Sequence, residues 1–162
     1  AKHPFSAEGL PRPLLRLLDG EGLADKVGVT FLLTTIESSG WPRMALLGAG
    51  EVLAVSPQEL RLALWPDSRT AAALTASGRG TLFLVHGGAA YTVRLAARRL
   101  ANLPAGDAAL ACFGGAVVEG EEDRVGYATL TGGISFRLHH PEQVLARWKV
   151  VIEALRAIPA DD

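Results

Sequence analysis

"WPRMALLG" at residues 41–48 and "LRLALWPDSRT" at 60–70 decide how this chain is read. Ahead of the first stretch, the turn "SSGW" (38–41) joins "VGVTFLLTTIE" (27–37) to a strand opening at Pro42, so the two form a hairpin. The near-continuous β-branched and aromatic content of 27–37 predicts a strand covered on both faces. In the second stretch a strand from Leu60 runs into Ser68, the expected cap of a short Ala-rich helix over 68–76. Arg69 follows that cap directly, although the first turn of a helix favours anions. Free N–H groups there bind phosphates well, Ser68 and Thr70 add hydroxyls, and Arg69 adds a planar multidentate donor. Alone, S-R-T also fits an ordinary N-cap with Arg69 in water or paired to Asp67.

Outward from these stretches the chain is rich in strands. Gly48 and Gly50 allow a bend before "EVLAVS" (51–56), and "TLFLVH" (81–86) is an apolar strand. "AYTVRLAARRL" alternates, with Tyr91, Val93, Leu95 and Ala97 on one face and Thr92, Arg94 and Arg98 on the other. "LPAGD" (103–107) breaks that pattern, and "ALACFGGAVVE" (109–119) resumes it with a Gly-Gly kink. "GEEDRVGYATLTGG" (120–133) is polar and turn-rich, its acidic run a solvated turn, and "ISFRLHH" (134–140) is a last strand. Helices flank the strands. Leu14, Leu15, Leu17 and Leu18 mark a short one that stops near Gly20. From Pro141, the stripe Val144, Leu145, Trp148, Val151, Ile152, Leu155 and Ile158 traces an amphipathic helix over 141–158. The pattern predicts a mainly β fold with peripheral helices, a Greek-key barrel forming a single domain over residues 1–162.

Composition narrows the function. A formal net charge of −1 with dispersed arginines argues against a nucleic-acid partner. Apolar runs are strand-sized, so no membrane span is expected, and the start lacks a secretory core, which makes a cytoplasmic location the default. Hydrophobic content of 49% is high for a free monomer of 162 residues and hints at an oligomer. Cys112, the one cysteine, reads as a buried thiol. His3, His86, His139 and His140 share no metal-site spacing, so no metal is expected. Neither a nucleophile elbow nor a Rossmann or P-loop glycine pattern occurs, and no side chain stands out as a catalytic acid or base.

"GWPRMALL" followed by "LRLALWPDSRT" resembles the pyridoxamine 5′-phosphate oxidase-like family of FMN-binding split barrels, over roughly residues 27 to 101 in order. The resemblance implies a split β-barrel. It also implies a non-covalently bound FMN at a homodimer interface, and two-electron redox chemistry on a small-molecule substrate that the motifs do not name. Carried over, Arg43, Met44, Ala45 and Leu46 would line the flavin, with Arg43 on its ribityl–phosphate arm. Ala63, Leu64 and Trp65 would lie beside the ring, and Ser68, Arg69 and Thr70 would hold the phosphate. Three departures mark this chain. Thr70 stands where a second cation is preferred, "ALW" replaces polar ring partners, and the Arg- and His-containing C-terminal segment of true pyridoxamine phosphate oxidases is missing. Vitamin B6 oxidation is therefore not expected. Arg94 or Arg98 is a candidate for the missing cation. The alternative is a non-enzymatic barrel for another phosphorylated or planar ligand (F420, heme), or one with an empty pocket.

Overall fold

The computed structural model describes residues 1–105 and 108–159. Its strands are β1 (Lys2–Ser6), β2 (Phe31–Ile36), β3 (Pro42–Leu47), β4 (Val52–Ser56), β5 (Glu59–Leu64), β6 (Arg79–His86), β7 (Ala89–Arg99), β8 (Leu103–Ala105) and β9 (Ala108–Asp123). The helices are α1 (Arg12–Leu17), α2 (Arg69–Ser77) and α3 (Pro141–Ala157), with a 3-10 turn at Leu23–Lys26. The expected hairpin forms in register, Thr34 opposite Met44 and Ile36 opposite Pro42.

Every strand pairing is antiparallel, and the main path runs β3-β2-β6-β7-β9-β5-β4, with β1 and β8 also on β9. One buried cluster draws on both ends of that path: Phe31 and Leu33 of β2, Leu47 of β3, Val52 of β4, Leu60 and Leu62 of β5, and Phe113 of β9. Strands so far apart in sheet order share a core only because the sheet curls around it, which makes a barrel open between β3 and β4.

The two halves of the barrel are covered differently. Outside β4, β5 and β9, the residues Leu53, Ala63 and Cys112 pack against Val151, Ile152 and Leu155 of α3. Those strands are therefore covered on both faces, by the barrel core and by α3. The outer faces of β2, β3 and β6 carry exposed apolar side chains instead. Met44 is 65% exposed, Leu46 61% and Ile36 51%. The expectation that residues 27–37 are covered on both faces is thus not met within one chain: Phe31, Leu33 and Thr35 are buried, and Ile36 faces outward.

Other expectations need correction. "GEED" (120–123) is not a turn but the end of β9, held between β1 and β7. Its acids are offset by neighbours, Lys2 on Glu121 at 3.7 Å and Arg124 on Glu122 at 3.2 Å. "ISFRLHH" is not a strand. Phe136 turns its ring edge to Trp148 at 6.4 Å, so its apolar side chain anchors the approach to α3. Gly114 and Gly115 do not kink β9; they give room to the Arg98 guanidinium and the Leu95 side chain. The irregularity lies at Val118, because Arg94 opposes Glu119 while Leu95 opposes Val117. Residues 106 and 107 of the expected "LPAGD" break lie outside the described residues, and Leu103–Ala105 pairs with β9.

Candidate functional site

Ser68 caps α2 as its residue type predicts. Its backbone is extended, and its Oγ accepts a hydrogen bond from the Ala71 N–H at 3.0 Å. No acidic residue occupies the first turn. Arg69 stands there instead, exposed and without a hydrogen-bonding or ion-pairing partner among the described residues. The amides at the start of the helix have no intrahelical acceptors, so the local field at Arg69 favours an anion.

A groove of about 410 Å³ opens beside this helix, lined by Glu37, Ser38 and Ser39 of the β2–β3 turn and by Arg69, Ala72, Ala73 and Ala76 of α2. Three alanines on one helical face keep the wall low. Glu37 accepts a hydrogen bond from Arg43 Nη1 at 3.1 Å, which draws Arg43 toward the same groove. Two guanidiniums and one carboxylate thus meet here, leaving one net positive charge. The Arg43 Nε is buried with no hydrogen-bond partner.

The structure gathers only part of the expected site. Arg69 lines this groove, Arg43 reaches it through Glu37, and Ser68 caps the helix that forms its wall. Met44 and Leu46 alternate away from Arg43 and Ala45, onto the uncovered outer face, so the side chains of this strand do not line one ligand together. Thr70 is buried, 4% exposed. Ala63 and Leu64 are in the interior, Ala63 under α3 and Leu64 in the barrel core. Trp65 is on another surface, lining a cavity of about 50 Å³ with Glu51, Arg147 and Trp148. Burial there pushes the Glu51 carboxyl up against the lowering effect of the Gly48 N–H bond and Arg147. Neither candidate second cation lines the groove: Arg94 pairs with Glu119 at 2.8 Å, and Arg98 with Glu59 at 2.7 Å.

Glu37, Ser38 and Ser39 were not singled out from sequence, where "ESS" is an ordinary turn. Their place opposite α2 comes from the fold alone. His86 lines a separate surface cleft with Arg16, Asp25 and Lys26. No group of three or more His, Cys, Asp or Glu side chains is placed to hold a metal among the described residues. No helix of the structure is long and apolar enough to cross a membrane among those residues.

No family model matches the chain. The uncharacterized protein YclD of Bacillus subtilis (strain 168) is 38% identical over 143 residues, spanning 88% of this chain and 93% of that protein. HupZ of Group A Streptococcus superposes with a TM-score of 0.51 at 10% identity, over 79% of this chain and 99% of that chain. A crystal structure described as a putative pyridoxamine 5′-phosphate oxidase of Lactobacillus delbrueckii superposes with a TM-score of 0.51 at 12% identity, over 69% of this chain and 93% of that chain. At such identities these two likenesses concern the fold. The chain belongs to the family of Bacillus subtilis YclD, and its fold is the split barrel of the pyridoxamine 5′-phosphate oxidase-like proteins.

Proposed function

We propose that this protein is a cytoplasmic FMN-binding flavoprotein, an oxidoreductase of the pyridoxamine 5′-phosphate oxidase-like type, acting as a homodimer. The observation that carries the reading is the Arg69 guanidinium, unpaired beside the capped start of α2 and facing a groove that also draws in Arg43. The residues fit the phosphate end of the cofactor: the buried, unpartnered Arg43 Nε is a donor in want of an acceptor. Bound flavin supplies two-electron redox chemistry. The chain's own part is to seat the phosphate with Ser68 and Arg69, to orient the arm with Arg43, and to keep water out.

The dimer rests on the uncovered sheet face. Leu46, Leu32, Phe83 and Thr92 are opposed in register across β3, β2, β6 and β7, with Met44 and Ile36 on the same side. An apolar face of this breadth is normally covered in a soluble protein. Leu46→Asp puts a charge into this apolar face and is expected to convert a dimer to a monomer in sedimentation equilibrium. A wild-type monomer at micromolar concentration would refute the shared interface.

The cofactor test is direct. Purified protein incubated with FMN and freed of excess is expected to be yellow and to melt at higher temperature. Arg69→Ala removes a charge-assisted contact, so FMN affinity should fall about 10-fold or more while riboflavin affinity changes less than about twofold. Equal losses for both ligands would remove the phosphate role from Arg69. The burial of Ala63 and Leu64 favours a second reading, a barrel that binds a phosphorylated ligand without redox chemistry, because neither residue offers a flavin ring a polar side chain. Colourless protein that gains no stability with FMN would decide for it.

A further inference from the structure

The cleft at His86, of about 390 Å³, lies at the end of the barrel where α1 packs Leu14 into the core. It shares no residue with the Arg69 groove. Its walls include Pro13 and Arg16 of α1, Asp25 and Lys26 of the 3-10 turn, Val29, and His86 at the end of β6. Along β6, Leu82 and Leu84 are buried and Phe83 is exposed, so alternation puts His86 on the core side of the strand. The cleft is therefore away from the sheet face assigned to the dimer. Its volume suits a small organic ligand.

The charges in this cleft are arranged unusually. Lys26 Nζ donates to Asp19 Oδ1 at 2.7 Å and to the Arg16 carbonyl at 3.0 Å. Its charge is matched by Asp19, and the two bonds pin the 3-10 turn to the end of α1. Arg16 and Asp25 are left over. Both are exposed, and neither side chain has a hydrogen-bonding or ion-pairing partner among the described residues. They line one cleft with opposite charges and yet are not paired with each other. The half-buried His86 side chain is likewise without a partner among those residues. Pro13 and Val29 supply apolar surface beside these groups.

We propose that this cleft binds a small zwitterion with an aliphatic body, an apolar α-amino acid or dipeptide. Its carboxylate is held by Arg16, its ammonium by Asp25, and its side chain lies on Pro13 and Val29. A simple anion would be attracted by Arg16 and opposed by Asp25, and a simple cation the reverse. Only a ligand that carries both charges satisfies both walls. The site is separate from the proposed flavin seat and does not depend on it.

Calorimetric titration of the full chain with L-leucine and with leucyl-leucine tests this and tells the amino acid from the dipeptide. N-acetylleucine, which lacks the ammonium, and leucinamide, which lacks the carboxylate, are the comparisons. At least one zwitterion should bind saturably, about tenfold or more tighter than either comparison. Arg16→Gln should weaken it about tenfold and erase its advantage over leucinamide. Asp25→Asn should weaken it similarly and erase its advantage over N-acetylleucine. Both side chains are exposed and unpaired, so neither replacement disturbs the core. The proposal is overturned if neither zwitterion binds below about 1 mM, if a singly charged comparison binds as tightly, or if either variant keeps the wild-type affinity. Failure of FMN to bind the wild type bears on the flavin reading alone.

Discussion

Gly50→Ala is expected to lower the melting temperature by about 6–12 °C, from an overpacking cost of about 3 kcal/mol. A Cβ at this position would lie 1.9 Å from Cγ of Trp148 and 2.3 Å from its Cβ. Those atoms are the root of the indole, so no terminal rotation relieves the clash. Gly48 meets the far edge of the same ring at 2.6 Å. The two glycines of "LGAG" are the seat of Trp148, which is 3% exposed and ties α3 to the corner between β3 and β4. Gly50 does not have positive φ, so alanine meets no backbone penalty and the effect is steric. A cycle with Trp148→Ala separates the ring from its root, since alanine removes Cγ at 1.9 Å but keeps Cβ at 2.3 Å. Trp148→Ala alone should cost about 3–5 kcal/mol through the cavity it leaves. Gly50→Ala added to it should cost less than in the wild type, by about 1 kcal/mol or more, the retained Cβ contact accounting for what is left. Urea melts of the four proteins measure both terms. Additive losses would mean that Gly50 is constrained by something other than the ring.

The same corner shows where sequence reading succeeds and stops. Gly48 and Gly50 were legible as a bend, because glycine next to a strand end is a local signal. That their missing side chains make room for a residue almost a hundred positions later is not a local property. The stripe from Val144 to Leu155 likewise announced a packed helix, but nothing in it says which strands it covers. Since α3 lies outside β4, β5 and β9, Ala63 was drawn under it and Trp65 beside it, away from the expected flavin ring. The cap at Ser68 was readable because capping is decided within four residues. Its counterpart across the groove, Glu37 to Ser39, is contributed by tertiary folding and carries no motif. "ISFRL" shows the opposite failure. It has the composition of a strand, yet Phe136 is spent on Trp148 and Ile134 stays 53% exposed. Conversely "GEED" lacks strand composition and is a strand, since β1 and β7 supply hydrogen bonds on both sides.

Arg61→Met is expected to destabilise the fold by about 2–3 kcal/mol and to loosen α3 in particular. Arg61 interrupts the apolar run "LRLALW" on the face that meets α3, and it is only 3% exposed. Its Nη1 donates to the carbonyls of Leu155 at 2.6 Å and Ile158 at 2.5 Å, closing the C-terminal end of the helix, where a cation also suits the dipole. Burying a guanidinium is itself unfavourable, and its Nε has no partner, so a hydrophobic replacement recovers part of the loss. The balance still falls against methionine, because the two carbonyls belong to the backbone and remain acceptors after the donor has gone. Glu59 retains Arg98 at 2.7 Å and needs no replacement. Cys112 gives an internal reporter. It lies fully buried in the cluster beneath α3, and burial pushes its thiol up to about 11, against a lowering effect of Arg61. With Arg61 removed, the closed state holds the thiol even less ionised, so any faster labelling must come from opening of α3. A loss of 2–3 kcal/mol restricted to that opening raises the labelling rate by a Cys-reactive disulfide about 30-fold or more. Slower or unchanged labelling, with a higher melting temperature, would show that desolvation of Arg61 outweighs the two bonds it makes.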